Sequence, residues 1–350
     1  MRIVFTGGGS GGHVMPNVAI IKNILSRSPK TDIVYIGSTN GPEKRIIEAI
    51  HIPYHEIFTG KLRRYFSLTT FTDGAKFCVG ILQSLFILHR LAPSVVFSKG
   101  GYVSLPVTIA AWILKIPVMI HESDIHPGLA NRIAVRFANT VCVASKETQK
   151  YFPNAHTIVT GIPLRSDLDR GNKEQARSMT NLHESIPTLL FIGGGNGDAS
   201  INALVQSALL ELTKDSQIIH LLGSDSTNSE KPSHRYAPLH FVDEMKDLYA
   251  LADVVISRAG ATTLAELAHL GKRAIIIPMP KGCSRGEQIE NANVFVQTHT
   301  AITLQESEYT VPTLCSAISA ILLQTPSVAE SNVATQTITD LLLSYDHLTS

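Results

Sequence analysis

Short apolar segments alternate with longer helix-like segments along almost the whole chain, and this alternation limits the possible folds more than any other feature. Five apolar segments in the first half are rich in valine and isoleucine and end at or near glycine, serine or histidine: RIVFTG, DIVYIGS, SVVFSKG, VMIHES and TVCVAS. Helical spacing marks stretches between them, such as Pro16–Ser26 and Pro42–Ala49. Apolar strands separated by helices are typical of a parallel sheet that is covered on both faces.

The same pattern restarts after TIVTGIPLR, with the segments TLLFIGGG, QIIHLLG, DVVIS and AIIIP. The sequence therefore predicts an α/β protein of two Rossmann-like, doubly wound parallel-sheet domains. We place the boundary near Gly161–Pro163, which gives domains 1–162 and 163–350. The stretch after Val328 is helical in pattern, and the sequence leaves open whether it packs back on the first domain.

Charge is divided unevenly between the two halves. Residues 1–160 carry 17 lysine and arginine and 8 aspartate and glutamate side chains, a net charge of +9, whereas the remainder carries 13 and 21, a net charge of −8. This asymmetry indicates two modules that face different partners, although charge can also drift between domains without a function. The four cysteines show no CxxC spacing, which favours reduced thiols over a zinc site, and the first residues predict a strand rather than a signal peptide.

Two glycine-rich turns follow strands, Gly7–Gly12 in the first half and Gly193–Gly197 in the second. Such turns let backbone N–H groups approach an anion at a helix N-terminus. The first turn matches the dinucleotide fingerprint G-x-G-x-x-G. However, the second predicted strand of the chain ends in YIGSTN, without the acidic residue that would hold a ribose. We therefore favour two phosphate-bearing ligands that meet in a cleft between the domains.

Two further features of the sequence indicate a chemical role. His13 follows the first turn at the start of a helix, where the helix dipole favours a neutral imidazole that can act as a general base, although it could also simply begin the helix. The Asp167-Leu-Asp169 pair resembles a metal-binding motif, but on a predicted helix these two carboxylates would point apart. We expect no metal and no cofactor.

Seven segments occur in the order found in the MurG family of N-acetylglucosaminyltransferases: GGGSGGHVMPNVAI, SKGGYVSLPV, HESDIHPGLANR, TGIPLRSD, FIGGGNGDASIN, ISRAGATTLAE and SRGEQIENAN. The resemblance covers nearly the whole chain and implies a GT-B fold. It also implies an inverting transfer of N-acetylglucosamine from UDP-N-acetylglucosamine to a lipid-linked muramoylpentapeptide, lipid I, which makes lipid II for peptidoglycan. The first domain would hold the acceptor at the cytoplasmic face of the bacterial cell membrane, and the second would hold most of the UDP-sugar. No nucleic-acid partner is implied.

The resemblance also implies site residues. The candidate catalytic residues are His13, His121 and Glu122, with His121 as an alternative base. Glu266 would accept hydrogen bonds from the ribose, Gln288 would reach the sugar or its phosphate, and Arg165 would hold the diphosphate. The first turn is expected to face the acceptor, and its residues are also counted among the donor contacts. The remaining candidate donor contacts are Ser10, Gly11, Gly12, Asp124, Gly195, Asn196, Val242, Ala261 and Thr262.

Three segments depart from the family pattern. HEQN reads His121-Glu122-Ser123-Asp124, TGNP reads TGIP, and the GGSxG turn reads Gly193–Gly197 without its serine. These departures would suit a silent scaffold, which the retained His13, Arg165, Glu266 and Gln288 oppose. The sequence is also compatible with a soluble epimerase of UDP-N-acetylglucosamine and with a transferase for another lipid-linked acceptor.

The segment KLRRYFSLTTF and the following stretch Ala75–Leu91 combine apolar residues at helical spacing with basic neighbours, including Lys61, Arg63, Arg64, Lys76 and Arg90. An apolar patch rimmed by cations can lie in the interface of a membrane that contains anionic lipids. A core helix with basic neighbours would show the same pattern. The sequence leaves both interpretations open.

Overall fold

A computed structural model describes residues 1–9, 11–39, 41–60, 69–195, 197–223, 231–240, 242, 245–284 and 286–346. Contacts between Cα atoms divide the chain into two compact units. Unit 1 comprises Met1–Arg165 and Asn332–Ser350, and unit 2 comprises Ser166–Ser331. The stretch predicted to be helical after Val328 thus ends in unit 1, where its helix packs on the first helix of the chain.

Unit 1 contains a parallel sheet of seven strands within the described residues. The strands are β1 (Arg2–Thr6), β2 (Asp32–Ser38), β3 (Tyr54–Ile57), β4 (Val95–Ser98), β5 (Val118–Glu122), β6 (Thr140–Val143) and β7 (Thr157–Val159). The helices are α1 (Gly11–Arg27), α2 (Pro42–Ala49), α3 (Thr69–Leu91), α4 (Ser104–Ile113), α5 (Leu129–Ala134) and α6 (Lys146–Gln149), with a short 3-10 turn at Val135–Phe137. The strand order is β3-β2-β1-β4-β5-β6-β7.

Unit 2 repeats the plan with a parallel sheet of six described strands in the order β10-β9-β8-β11-β12-β13. These are β8 (Thr188–Ile192), β9 (Gln217–Leu221), β10 (Tyr236–Leu239), β11 (Val254–Ser257), β12 (Arg273–Ile276) and β13 (Ala301–Thr303). The helices are α7 (Lys173–Thr180), α8 (Ala199–Leu212), α9 (Met245–Leu251), α10 (Ala261–Leu270), α11 (Glu287–Thr298) and α12 (Val311–Leu322). The last helix, α13 (Ala334–Leu343), and a 3-10 turn at Ser344–Asp346 belong to unit 1.

Both sheets are buried on two faces, which explains their continuous apolar strands. In unit 1, Ile3 and Phe5 of β1 point to one core cluster and Val4 points to the other, because successive strand residues alternate between faces. Leu189 and Phe191 of β8 join the core of unit 2 with the buried face of α8. The predicted α/β fold with two parallel sheets is confirmed.

One local prediction was wrong. Asp167 and Asp169 lie in a turn rather than on a helix, and helix α7 begins only at Lys173, where Asn172 caps it. The Asp167 carboxylate accepts a hydrogen bond from the Lys246 ammonium at 2.9 Å, within unit 2. Among the described residues, no three histidine, cysteine, aspartate or glutamate side chains are grouped so that they could hold a metal ion.

Candidate functional site

Each sheet carries a glycine turn at the point where its strand order reverses. In unit 1 the first turn follows β1, which lies between β2 and β4. In unit 2 the second turn follows β8, which lies between β9 and β11. Ligands of open α/β sheets bind in the crevice at such switch points, beyond the carboxyl ends of the strands. The topology therefore defines one candidate half-site in each unit.

Buried polar side chains hold the first turn in place. The Tyr35 hydroxyl donates to the Gly7 carbonyl at 2.7 Å, and the Asn17 amide donates to the Tyr35 oxygen at 3.0 Å and to the Thr6 carbonyl at 3.3 Å. Burial raises the pKa of Tyr35, so its hydroxyl keeps the proton that it donates. A turn held in this way needs little reorganisation when a ligand binds.

A buried carboxylate, Glu43, lies next to the same turn and escaped the sequence interpretation. Its two oxygens accept hydrogen bonds from the Gly9 N–H at 3.3 Å, from the Ser38 N–H at 3.0 Å and from the Ser38 hydroxyl at 2.5 Å. One N–H of the glycine turn is thus used inside the protein. The sequence signal was the Pro42-Glu43 pair, which is typical of a first helical turn.

The predicted residues of the first turn lie at the start of α1. Gly11 begins the helix, Gly12 is exposed and His13 is half-buried in the first helical turn. Ser10 lies outside the described residues. His13 thus lies at the N-terminal end of a 17-residue helix, and its role as a base stays a prediction.

His121 has a different environment from His13. It is fully buried at the end of β5, and its Nε2 lies 2.8 Å from the Gly161 carbonyl, to which the protonated nitrogen donates. Burial and the nearby Lys99 ammonium lower the pKa of His121 well below its usual value. A substrate hydroxyl cannot reach a ring without exposed surface, so this geometry favours His13 between the two candidate bases.

Glu122 organises the loop that follows β5. One carboxylate oxygen accepts from the Asp124 N–H at 3.0 Å, and the other accepts from the Gly128 N–H and the Asn131 amide, both at 3.0 Å. Glu122 is 4% exposed and Asp124 is half-buried. Glu122 is therefore engaged in shaping the Ser123–Gly128 loop, which carries Asp124.

The second turn is anchored by a buried ionic cluster. Asp198 follows Gly197 and caps α8 by accepting from the Ser200 and Ile201 N–H groups, both at 3.0 Å. The Arg258 guanidinium donates two hydrogen bonds to the same carboxylate, at 2.7 and 2.9 Å. Burial raises the pKa of Asp198, but the hydrogen bonds from Arg258 and the helix N-terminus together outweigh it and bring the pKa below its usual value.

Glu306 completes this cluster. Its carboxylate accepts from Arg258 at 2.6 Å and from the Ser200 hydroxyl at 2.6 Å. The tip of the turn is not used by these contacts: Gly195 is exposed, and a Cβ placed there would meet nothing within 4 Å. Asn196 lies outside the described residues.

The N-terminus of α10 is a second candidate anion site in unit 2. Its N-cap residue, Gly260, supplies no side-chain hydrogen bond, and Ala261 and Thr262 at the first two helical positions are half-buried. In contrast, α8 is already capped by the Asp198 carboxylate. Because unpaired N–H groups and the helix dipole both attract anions, α10 is the better candidate of the two for a phosphate.

Three predicted donor contacts belong to unit 2. Glu266 lies in the middle of α10, where its carboxylate accepts from the Tyr249 hydroxyl at 2.7 Å. The Gln288 side-chain oxygen accepts from the Met279 N–H at 3.1 Å, and Val242 is half-buried. Arg165, which the sequence counted with the second domain, is half-buried at the end of the first segment of unit 1.

Helix α3 presents an apolar face to solvent. Val79, Leu82 and Phe86 recur at helical spacing and are 42%, 66% and 61% exposed. The Arg90 guanidinium lies 4.8 Å from the centre of the Phe86 ring. By length and composition alone, Asp73–Leu91 is the one helix among the described residues that could cross a membrane, but core helices pass the same test. Lys61, Arg63 and Arg64 lie outside the described residues.

Comparison with known proteins identifies the family. The model of the glycosyltransferase family 28 N-terminal domain matches residues 3–143, and that of the family 28 C-terminal domain matches residues 188–342. The chain belongs to glycosyltransferase family 28. Both candidate half-sites lie inside these two matches.

Relatives within family 28 are similar over most of their length. A UDP-N-acetylglucosamine–N-acetylmuramyl-(pentapeptide) pyrophosphoryl-undecaprenol N-acetylglucosamine transferase of Legionella pneumophila strain Paris is 42% identical over 91% of this chain and 88% of its own. A protein of the same name from Clostridium perfringens strain SM101 is 44% identical over 91% of this chain and 89% of its own. These matches confirm the resemblance on which the sequence analysis relied.

Solved structures agree with this assignment. MurG of Acinetobacter baumannii is 25% identical over 98% of this chain and 99% of its own, with a TM-score of 0.72. The UDP-N-acetylglucosamine 2-epimerase of Neisseria meningitidis reaches a TM-score of 0.68 at 14% identity, which shows a shared fold alone. The two-domain GT-B architecture of family 28 is confirmed.

Proposed function

We propose that this protein transfers N-acetylglucosamine from UDP-N-acetylglucosamine to the muramoyl sugar of a lipid-linked pentapeptide diphosphate, which forms lipid II for peptidoglycan. The observation that carries this proposal is the similarity of 42–44% over 91% of the chain to transferases named for this reaction. Through peptidoglycan, the reaction serves cell shape and cell division.

Donor binding falls to unit 2. The diphosphate of UDP is bound by the open N-terminus of α10, at Ala261 and Thr262, and by the exposed tip of the second turn at Gly195. Glu266 accepts hydrogen bonds from the two ribose hydroxyls, since an ionised carboxylate has several acceptor sites and no donor. Gln288 and Val242 contact the sugar and the base.

The transfer step needs a base and a stabilised leaving group. The acceptor hydroxyl oxygen attacks the anomeric carbon of the donor while the bond from that carbon to the diphosphate oxygen breaks. The hydroxyl proton passes to the neutral ring of His13, and the electron pair of the broken bond stays on UDP. The N–H groups at the start of α10 stabilise this developing negative charge. Attack opposite the leaving group inverts the configuration.

The lipid of the acceptor requires a membrane surface. The exposed apolar face of α3 inserts among the lipid headgroups of the cytoplasmic face of the cell membrane, and Lys76 and Arg90 contact anionic headgroups. The net positive charge of residues 1–160 favours the same orientation. The protein is then peripheral, bound by one helix face rather than inserted across the bilayer.

Product analysis with and without an acceptor tests the function. Purified protein is incubated with labelled UDP-N-acetylglucosamine, either alone or with a muramoylpentapeptide diphosphate lipid analogue. The proposal predicts equal amounts of UDP and labelled lipid, and only when the acceptor is present. Conversion of the donor alone would indicate an epimerase, and the absence of any product with this acceptor would contradict the proposal.

A further inference from the structure

Lys99 is a buried lysine at the switch point of unit 1. It follows β4 and is 2% exposed. Its backbone N–H donates to the carbonyl of Thr6, at the end of β1, at 3.0 Å. A Cβ added at Gly7 would lie 3.1 Å from the Lys99 Cβ, so Lys99 packs directly against the first glycine turn. A charged lysine is almost never fully buried unless it is paired.

The partners of Lys99 lie on the loop that follows β5. The ammonium donates to the Ser123 hydroxyl at 2.5 Å. Burial lowers the pKa of Lys99 to about 8, while the negative charges of Glu122 and Asp124 oppose this effect. Lys99 is thus the buried cation beside a loop with two carboxylates.

The backbone around Lys99 joins this loop to the first turn. Gly100 and Gly101 have φ angles of +92° and +82°. A Cβ at Gly101 would lie 2.4 Å from the Gly8 carbonyl oxygen, and one at Gly100 would lie 2.9 Å from the Asn131 side chain. Asn131 also donates to the Glu122 carboxylate. The segment Lys99–Gly101 therefore fills the space between the first turn and the loop that Glu122 shapes.

We infer that Lys99 is a positioning residue that holds Ser123 and offsets the negative charges of Glu122 and Asp124, and that it thereby fixes the loop after β5 on which Asp124 lies. This inference rests on the proposed function, because Asp124 is one of the donor contacts that the sequence predicts. Without Lys99, the charges of Glu122 and Asp124 would repel each other with no buried counter-charge between them, and the loop that carries Asp124 would lose its position.

A double-mutant cycle tests the inference. Lys99→Met, Asp124→Asn and the double variant are compared with the wild type for donor KM, kcat and thermal unfolding. We expect Lys99→Met to raise the donor KM by roughly tenfold and to change kcat less. The double variant should recover most of that loss, because Asp124→Asn removes the charge that Lys99 offsets. Ser123→Ala removes only the hydrogen bond and should cost less than Lys99→Met.

Lys272→Met supplies a matched control in unit 2. Burial lowers the pKa of Lys272 to about 8 as well, and its ammonium donates to the Ala252 carbonyl at 2.8 Å. The effects of Lys272→Met and Asp124→Asn on the donor KM and on thermal unfolding should be additive when the two substitutions are combined. Additive effects for Lys99 and Asp124, in an enzyme whose wild type transfers sugar, would overturn the inference alone. If the wild type transfers no sugar, the proposed function fails, while the unfolding data still show whether Lys99 and Asp124 are coupled.

Discussion

Replacement of Arg258 by methionine should destabilise unit 2 and weaken donor binding together. The Arg258 and Asp198 side chains are 9% and 6% exposed, and the guanidinium also donates to Glu306. Methionine keeps much of the apolar stem but removes the charge and its hydrogen bonds. Two neighbouring carboxylates are then left at the base of the second turn without their buried cation.

The size of the effect follows from this burial. Removing one partner of a buried ion pair costs about 3–5 kcal/mol, because the remaining charge stays desolvated. In a unit of 166 residues, this loss lowers the melting temperature by roughly 10 °C. Asp198 also positions the second turn through the N-terminus of α8, so the donor KM should rise as well.

Differential scanning calorimetry and donor kinetics measure the two effects. Arg177→Met is the control, since its ion pair with Glu174 lies on the surface of α7 in the same unit. An exposed pair at this spacing contributes only about 0.5 kcal/mol. If Arg258→Met melts within one or two degrees of Arg177→Met and keeps the wild-type donor KM, the buried cluster does not hold the second turn.

Three further results are expected. The double variant Leu82→Ser, Phe86→Ser should sediment less with vesicles that contain anionic lipid. The control Leu210→Ser, which removes an exposed apolar side chain of unit 2, should sediment as the wild type does. Equal vesicle binding by the double variant and the control would exclude the α3 face. Glu266→Ala should raise the donor KM by a factor that corresponds to about 1–3 kcal/mol, because ribose hydroxyls lose their acceptor, and an unchanged KM would refute that contact. Burial lowers the pKa of His220 to about 4, so the unfolded state takes up a proton first as the pH falls below 6.5. The free energy of unfolding in urea should therefore fall by up to about 3 kcal/mol between pH 6.5 and pH 4, and His220→Gln should flatten this part of the profile.

The alternation of strands and helices was sufficient to predict the architecture. Segments such as RIVFTG and TLLFIGGG are apolar throughout because both faces of each sheet are covered, and this requirement is written in the local sequence. The glycine clusters that follow these two segments also marked both switch points, because each cluster directly follows its strand in the sequence. In contrast, Asp167 and Asp169 were assigned to a helix because composition alone does not show where a helix begins.

The side chains that hold the site were harder to predict. Glu43, Lys99 and Arg258 contact residues 34, 24 and 60 positions away in the sequence, so their partners become evident only when the strands are ordered. Lys99 was part of a recognised motif, SKGG, but no local pattern shows that its ammonium meets Ser123. Long-range ionic contacts of this kind depend on the fold and not on neighbouring residues.

The two glycine turns are assigned to different substrates, and calorimetric titration with UDP tests this division of roles. His13→Ala should bind UDP almost as the wild type does, while its kcat falls by about 10²–10⁴-fold, the usual contribution of a general base. Gly195→Val should instead lose affinity for UDP, because its side chain blocks the approach of phosphate at a position where the fold itself has room for it. Loss of UDP binding in His13→Ala together with normal binding in Gly195→Val would show that the roles of the two turns are reversed.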